Sequence, residues 1–273
     1  FKNTDNSLYT SIESQEIDKL KSTGYKSNKS GISYGTNFEL YDDLFLGVGN
    51  SNFYEKISTN STASVRQKAQ EGNYWDSSLN LSFNFDKRNQ KFQTSSGFRT
   101  YYSLDLPFLS DTYTVKNQYT HSYYFNLFEK NISNISFYFE TANSLKDKDV
   151  KLSERIKIPS KRLRGFENGR VGPKDGGDFV GGNYGYSINF TSNIPQLFED
   201  SQNIDFLFFT DIANLWGVDY DSSIKDSKIR SSIGLGLDWF SPVGPMNFSI
   251  AQPITKADGD KTETFRFNLG TTF

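Results

Sequence analysis

The chain has 273 residues, a formal net charge of -2 and charges scattered along its length, so it lacks the basic patch expected of a nucleic-acid-binding protein. It has no cysteine and one histidine, which excludes disulfide scaffolds, thiolate metal sites and histidine-rich metal sites. Aromatic residues make up 16% of a chain whose mean hydropathy is only -0.62, and no apolar run is long enough for a transmembrane helix; a transmembrane β-barrel remains compatible with this composition.

Apolar and polar residues alternate along most of the chain, which predicts β-strands. In residues 78–86, SLNLSFNFD, the apolar side chains hold the odd positions, and the last ten residues, TFRFNLGTTF, show the same pattern. Such segments run roughly 9–12 residues, which is long for a soluble sheet and matches a tilted strand that crosses a bilayer. About twelve strands are predicted, at residues 7–17, 30–41, 44–55, 75–86, 96–108, 115–127, 132–143, 184–194, 204–216, 228–240, 245–254 and 262–273.

The connections between these strands fall into two classes that alternate along the chain. Short connections are predicted near 42–43, 87–95, 128–131, 195–203 and 241–244, and longer or more polar ones near 56–74, 109–114, 144–183, 217–227 and 255–261. This is typical of an antiparallel transmembrane barrel with tight turns on one side of the membrane and long loops on the other. A water-soluble β-sandwich or β-helix with its aromatic faces turned inward is the alternative.

Candidate catalytic and metal-binding residues are few. His121 is followed by Ser122, but neighbouring residues of a strand point to opposite faces, so a local serine–histidine pair is not expected. A barrel lipase using His121 is kept as an enzyme alternative. The segments 175–178, DGGD, and 258–260, DGD, lack the spacing of a calcium loop and are interpreted as turns. The chain is therefore expected to have no catalytic residue, no metal and no cofactor.

The connection over 144–183 is too long for an ordinary loop and includes the segment 161–183, KRLRGFENGRVGPKDGGDFVGGN. Arg164 either faces solvent or, if the loop folds back into the barrel lumen, pairs with an inward carboxylate. For the second arrangement, Gly165 permits close approach and Phe166 supplies packing. Asp211 is the candidate partner, because a charge in the middle of a strand is costly against lipid. Asp211 in the lumen would place Phe209 and Leu207 on the same inner face.

Residues 161–273 resemble the C-terminal barrel portion of the BamA family, outer-membrane protein assembly factors of the bacterial surface antigen superfamily. The motifs that carry the resemblance occur in the family's order and end on a terminal aromatic residue. They are Leu163-Arg164-Gly165-Phe166, Val171-Gly172-Pro173, Gly181-Gly182-Asn183, the segment 211–216 (DIANLW), the segment 239–245 (WFSPVGP), Gly259-Asp260-Lys261 and the segment 265–273 (FRFNLGTTF).

The resemblance implies a sixteen-stranded barrel preceded by periplasmic POTRA domains, of which residues 1–273 would be the last twelve strands. It implies that the loop 144–183 lies in the lumen, where Arg164 holds it against Asp211. The position of the family's second inward carboxylate falls on Asn189 in this sequence. The missing carboxylate implies that Asp211 carries most of the attachment.

The resemblance also implies a function without a chemical reaction: folding and inserting other β-barrel proteins into the bacterial outer membrane. The expected partners are outer-membrane lipid, unfolded outer-membrane protein clients and accessory assembly lipoproteins. A weak seam between the first and last strands is expected to open for client strands. The residues implied in this gate and in the C-terminal assembly signal are Phe265, Phe267, Leu269, Gly270 and Phe273. Two-partner secretion and autotransporter-assembly barrels, and a passive porin, are the alternatives.

Overall fold

The computed structural model describes residues 6–91, 93–146, 148–195, 203–224, 227–242 and 244–270. Twelve strands form one antiparallel sheet in which each strand pairs with its neighbours in the chain, so the fold is a meander of hairpins. In chain order these strands are β1 (Ser7–Lys19), β2 (Tyr25–Tyr41), β3 (Leu44–Thr59), β4 (Gly72–Asp86), β5 (Gly97–Pro107), β6 (Thr114–Phe125), β7 (Ser133–Ser144), β10 (Tyr184–Ile194), β11 (Ile204–Trp216), β12 (Arg230–Ser241), β13 (Gly244–Thr255) and β14 (Phe265–Leu269).

Two further strands, β8 (Lys174–Asp175) and β9 (Asp178–Phe179), form a small hairpin inside the long connection between β7 and β10. Its turn contains Gly176 with a φ of 62°, so the 175–178 segment is a turn. The described helices are short: α1 (Leu20–Thr23), α2 (Val65–Lys68) and the 3₁₀ turn η1 (Ser160–Arg162). Among the described residues, no helix is both long enough and apolar enough to cross a membrane.

The predicted all-β antiparallel fold with twelve strands is confirmed, and several strand ends differ from the prediction. β2 begins at Tyr25 and β3 extends to Thr59, in both cases beyond the alternating region. At these ends the inward residues Tyr25, Glu55 and Ile57 are buried, because the long connection covers them. The inner face is therefore not uniformly polar there, and the alternation that marks a strand in the sequence is lost.

The last strand is shorter than the predicted range of 262–273. β14 begins at Phe265, because Thr262 instead forms a β-bridge with Phe166 of the long connection. The backbone N–H of Glu263 likewise donates to the carbonyl oxygen of Gly165 at 3.0 Å. Residues 271–273 lie outside the described residues.

The two faces of the sheet have different chemistry. Cross-strand partners on the outer face are apolar, as in the row Phe208, Leu235, Ile250 and Phe265. Leu235, Ile250 and Phe265 are 59%, 60% and 55% exposed. A continuous apolar outer face of this kind suits a hydrocarbon environment, while the inner face surrounds a lumen that holds the long connection.

This arrangement predicts the environment of spin labels placed along the strands. In the complete protein in lipid, nitroxides at Leu81, Leu104 and Leu235 are expected to be accessible to oxygen and shielded from a water-soluble relaxation agent. Labels at Ser82 and Ser103, which pair with each other on the inner face, are the matched controls and should show the reverse. Water exposure at the three leucine positions would contradict the membrane-facing assignment.

Candidate functional site

Residues 145–183, here called the lumen loop, leave the sheet after β7 and return to it at β10, which is the direct neighbour of β7. The loop has an apolar core of its own that packs on the inner wall. Because this core is buried, the loop has a defined position inside the barrel. The core consists of the loop residues Val150, Ile156, Ile158, Leu163, Phe166 and Val171 together with the wall residues Ala142, Ala213 and Leu215.

Arg164 of the lumen loop contacts Asp211 of β11 through a two-pronged ion pair. Its Nε lies 2.8 Å from Oδ2 and its Nη2 lies 2.7 Å from Oδ1 of the carboxylate. The backbone N–H of Arg164 donates to the same Oδ2 at 3.0 Å. The guanidinium also lies over the ring of Phe209, 3.5 Å from its centroid. Asp211 and Phe209 are both 0% exposed, so the pair lies where charge-assisted hydrogen bonds are strong.

Gly165 and Phe166, the residues that follow Arg164, allow the loop to pack closely against the inner wall at this contact. Gly165 has a φ of 91°, and a Cβ there would lie 3.2 Å from the Cβ of Ala251 and 3.3 Å from that of Ser232. A side chain at this position would therefore be both strained and crowded. Phe166 is 1% exposed within the loop core. The three residues Arg164, Gly165 and Phe166, with Asp211, are called the Arg164 anchor; their functional role stays a prediction.

Asn189 of β10 lies beside the same carboxylate and acts as a donor. Its Nδ2 donates to Oδ1 of Asp211 at 2.8 Å and to the carbonyl oxygen of Arg162 at 2.8 Å. Its own Oδ1 accepts from the hydroxyl of Ser187 at 3.0 Å. Asn189 thus satisfies two acceptors that a carboxylate could not, and the negative charge at the Arg164 anchor comes from Asp211.

A second ion pair attaches the other end of the lumen loop to β3 and β4. Lys151, only 2% exposed, places its Nζ 3.0 Å from Oε2 of Glu55, and it also binds Asp76. Glu154 lies 3.9 Å from the same ammonium group. Burial lowers the pKa of Lys151, but the carboxylates of Glu154, Glu55 and Asp76 outweigh it and hold the pKa above its ordinary value. Lys151 and these carboxylates are called the Lys151 anchor.

The last strand also contacts the lumen loop. Arg266 of β14 donates through Nη1 to the carbonyl oxygen of Ser160 at 2.5 Å and through Nη2 to that of Phe166 at 2.6 Å. Its Nη2 also lies 2.6 Å from Oε2 of Glu263. Arg266 therefore links β14 to Phe166 of the Arg164 anchor.

The predicted gate residues lie on and beyond β14. Phe265, Phe267 and Leu269 are 55%, 47% and 65% exposed on the outer face. Gly270 has a φ of 111°, and its N–H donates to the carbonyl oxygen of Pro245 at 2.8 Å. Among the described residues, β14 pairs with β13 over five residues, whereas β7 and β10 pair over nine. Phe273 lies outside the described residues.

The remaining chemical candidates make hydrogen bonds and ion pairs within the sheet and its connections. The Nδ1 atom of His121 is hydrogen-bonded to the hydroxyl of Thr100 at 2.9 Å. The hydroxyl of Ser122 lies on the opposite face of the sheet, 2.6 Å from the hydroxyl of Ser136. In the 258–260 segment, Asp260 pairs with the buried Arg230 at 2.9 Å. No group of three histidine, cysteine or acidic residues suited to a metal ion occurs within the described part of the chain.

Sequence reasoning found the Arg164 anchor and missed the Lys151 anchor and the contacts of Arg266. Lys151 lies two residues after a run of charges, KDKD over 146–149, which by itself suggests a solvated segment. The sequence feature that could have indicated this anchor is the pair of acidic residues Glu55 and Asp76 on the inner faces of β3 and β4. Such carboxylates need a cation once a loop covers them. The acceptors that Arg266 finds in the lumen loop are backbone carbonyls, which no residue type marks.

Comparison with known proteins is consistent with this architecture. The family model of the Omp85 superfamily domain matches residues 1–273. The outer membrane protein assembly factor BamA of Neorickettsia risticii is 24% identical over 257 residues, which are 91% of this chain and 34% of that protein. The protein of the same name from Neisseria meningitidis serogroup B is 30% identical over 140 residues, which are 41% of this chain and 17% of that protein.

A solved structure shows the same fold. The crystal structure of BamA from Haemophilus ducreyi lacking POTRA domains 1–3 superposes with a TM-score of 0.88 and 25% identity. The match covers 96% of this chain and 58% of that one. The chain thus spans about a third or less of the two curated relatives, with 34% and 17% of their lengths matched.

Proposed function

This chain belongs to the Omp85 superfamily, and on that premise we propose that it is the C-terminal part of the barrel of an outer-membrane protein assembly factor. In this proposal the complete protein resides in the bacterial outer membrane and folds and inserts other β-barrel proteins there. The names of the two curated relatives and of the solved structure support it. Within the structure, the observation that carries the proposal is the pairing of β14 with β13, which extends over five residues in the described part of the two strands.

The proposed activity uses hydrogen bonding and burial in place of covalent chemistry, and requires no metal or cofactor. A strand inside a bilayer must satisfy every N–H and C=O group, because lipid offers no partners. A seam that opens along β14 presents a row of such groups, on which a client strand gains hydrogen bonds before it enters the membrane. In the described part of the chain, five residues of β14 pair with β13, which limits the number of hydrogen bonds between these two strands.

The lumen loop is proposed to support the strands beside this seam. It contacts β11 through Arg164 and β14 through Arg266, so the inner sides of both strands rest on one packed segment. The proposed partners are unfolded outer-membrane protein clients and outer-membrane lipid. Accessory assembly lipoproteins complete the proposal, and they would act mainly through regions outside this chain.

Closing the seam covalently tests the proposed function. In the complete protein, a cysteine replacing Asn268 is paired with a cysteine on the first strand of the barrel. The disulfide is expected to stop client insertion, because β14 then has no free edge to offer, and reduction should restore it. The rate of client assembly in proteoliposomes is the measurement.

The variant with Asn268→Cys alone is the matched control, and it should retain the parental rate. Client assembly at the parental rate with the crosslink fully formed would refute the gate. Steady ion conductance in planar bilayers without any client assembly would instead indicate a passive porin.

A further inference from the structure

Beneath the lumen loop, toward the end of the barrel where the short connections lie, is a cavity of about 440 Å³. It lies between η1 of the loop and the inner faces of strands on both sides of the lumen. Much of its wall consists of amide and hydroxyl side chains, including Gln118, Thr120, Asn189 and Asn268. Such groups both donate and accept hydrogen bonds, so the wall matches the N–H and C=O groups of a peptide backbone.

The charge of this cavity is strongly one-sided. Its lining includes six cationic side chains and a single carboxylate, that of Asp238, which accepts a hydrogen bond from Asn247. Three of the cations have carboxylate partners behind the lining. These pairs are Arg88 with Asp86, Arg164 with Asp211 and Arg266 with Glu263.

The other three cations, Arg99, Lys161 and Arg162, form no direct ion pair among the described residues; Asp86 lies opposite Arg99 across β4 and β5, and Glu140 acts on Arg162 electrostatically. Arg99 donates through Nε to Oδ1 of Asn84 at 2.8 Å, and the guanidinium of Arg162 lies 4.2 Å from the centroid of the Tyr138 ring. Both contacts are with neutral groups. Burial and the adjacent Arg162 lower the pKa of Lys161.

We propose that this cavity binds an extended acidic peptide segment. The proposal rests on the proposed function and specifies it, since the segment would be a carboxylate-rich stretch of an unfolded client. Guanidinium groups hold carboxylates by paired hydrogen bonds, and the amide and hydroxyl wall holds the backbone between them. The cations without a direct ion pair come from both sides of the cavity, with Arg99 on β5 and Lys161 and Arg162 on the loop, so a bound segment would be contacted from two sides.

The position of the cavity next to the last strand connects it to client handling. Arg266 and Asn268, the inward residues of β14, are part of its lining. A segment held in the cavity therefore lies beside the inner face of the strand at which the seam is proposed to open. Binding there would keep an acidic client stretch inside the lumen while an adjoining apolar stretch pairs with β14 on the membrane side.

Peptide binding to the complete protein in detergent tests this proposal. The probe is a fluorescent peptide of alternating aspartate and serine, compared by anisotropy with its asparagine–serine counterpart. The acidic peptide is expected to bind at least about tenfold more tightly, and its affinity should fall as salt increases. The double variant Arg99→Gln, Lys161→Gln should lower its affinity by about tenfold or more.

Lys130→Gln is the matched control, because Lys130 is exposed on the β6–β7 connection at the same end of the barrel and is not part of the cavity lining. It should leave binding unchanged. Equal binding of the two peptides, or unchanged affinity in the double variant, would overturn the proposal. Inorganic tripolyphosphate binding tightly where the acidic peptide does not would assign the cavity to phosphate groups and would also overturn it.

Client assembly, measured in parallel, separates this inference from the proposed function. Normal client assembly without acidic-peptide binding overturns the inference and leaves the proposed function intact. Cavity-dependent peptide binding without any client assembly overturns the proposed function, while the acidic-peptide site itself stands.

Discussion

Replacing Arg164 with alanine is expected to weaken the seating of the lumen loop by about 3 kcal/mol, the lower end of the cost of breaking a buried ion pair. The cost arises because Asp211, which is 0% exposed, keeps its charge and loses its only cationic partner at 2.7 Å among the described residues. The lower end applies because Arg164 itself is 14% exposed to the lumen. New protease cleavage between Lys161 and Lys174 in the complete protein, followed over time, measures the loss.

Asp211→Ala should have a similar effect, since it leaves the guanidinium over Phe209 without its carboxylate. The double variant should be no worse than either single one, because the pair acts as a unit. Arg164→Lys is the matched control: it keeps the charge and loses the two-pronged contact, so intermediate protection is expected. Additive losses in the double variant would show that the two residues act separately.

Lys151→Met is expected to produce the second large effect, about 3–5 kcal/mol, at the other end of the lumen loop. Methionine keeps the volume of the side chain and removes the ammonium group that lies 3.0 Å from Glu55. Glu55 is 2% exposed, so the carboxylates of β3 and β4 are left charged and buried without their cation. Thermal unfolding of the complete protein and protease cleavage within 145–157 are the measurements.

Lys148→Met is the control for this substitution, because Lys148 is an exposed lysine of the same loop segment whose Nζ contacts only the carbonyl oxygen of Asp111 among the described residues. It should change stability little. Adding Glu55→Gln to Lys151→Met should recover part of the loss, since one buried charge is removed. Equal behaviour of the Lys151 and Lys148 variants would contradict the Lys151 anchor.

The pH dependence of the parental ion pair has a definite sign. The pKa of Lys151 is raised in the folded protein, so its contribution to stability is complete below the unfolded pKa of about 10.4 and is lost only as the pH rises through the folded value. The difference between the parental protein and Lys151→Met should therefore not shrink between neutral pH and mildly alkaline pH.

Most strands could be located from the sequence because the face on which a side chain lies is set by its own position in the strand. Alternation therefore marks each strand locally, as it does for SLNLSFNFD over 78–86. It fails at Tyr25–Lys29 and at Lys56–Thr59, where the lumen loop covers the inner wall and removes the need for polar residues there. The start of β14 was misplaced for a related reason, since Thr262 pairs with the loop.

The two anchors differ in how far they could be inferred. Arg164 and Asp211 are marked by residue type, since a carboxylate among apolar strand residues needs an inward partner and the loop offers an arginine between small and aromatic neighbours. Lys151 and Glu55 are 96 residues apart, and neither is distinguished from the many other charged residues of the chain. That pairing depends on how the loop crosses the lumen, which only the tertiary structure determines.

The direct pairing of β7 with β10 has a consequence for the order of folding. Because the lumen loop leaves and re-enters between neighbouring strands, each strand of the sheet pairs with the strands before and after it, and the described sheet has no crossover. The entropic cost of closing the loop between two neighbouring strands grows only slowly with the length of the loop. Contacts such as that between Lys151 and Glu55 require β3 and β4 to be in place already. We therefore expect the sheet to form before the loop is ordered inside it, so variants that loosen the loop should accelerate its release without slowing formation of the sheet.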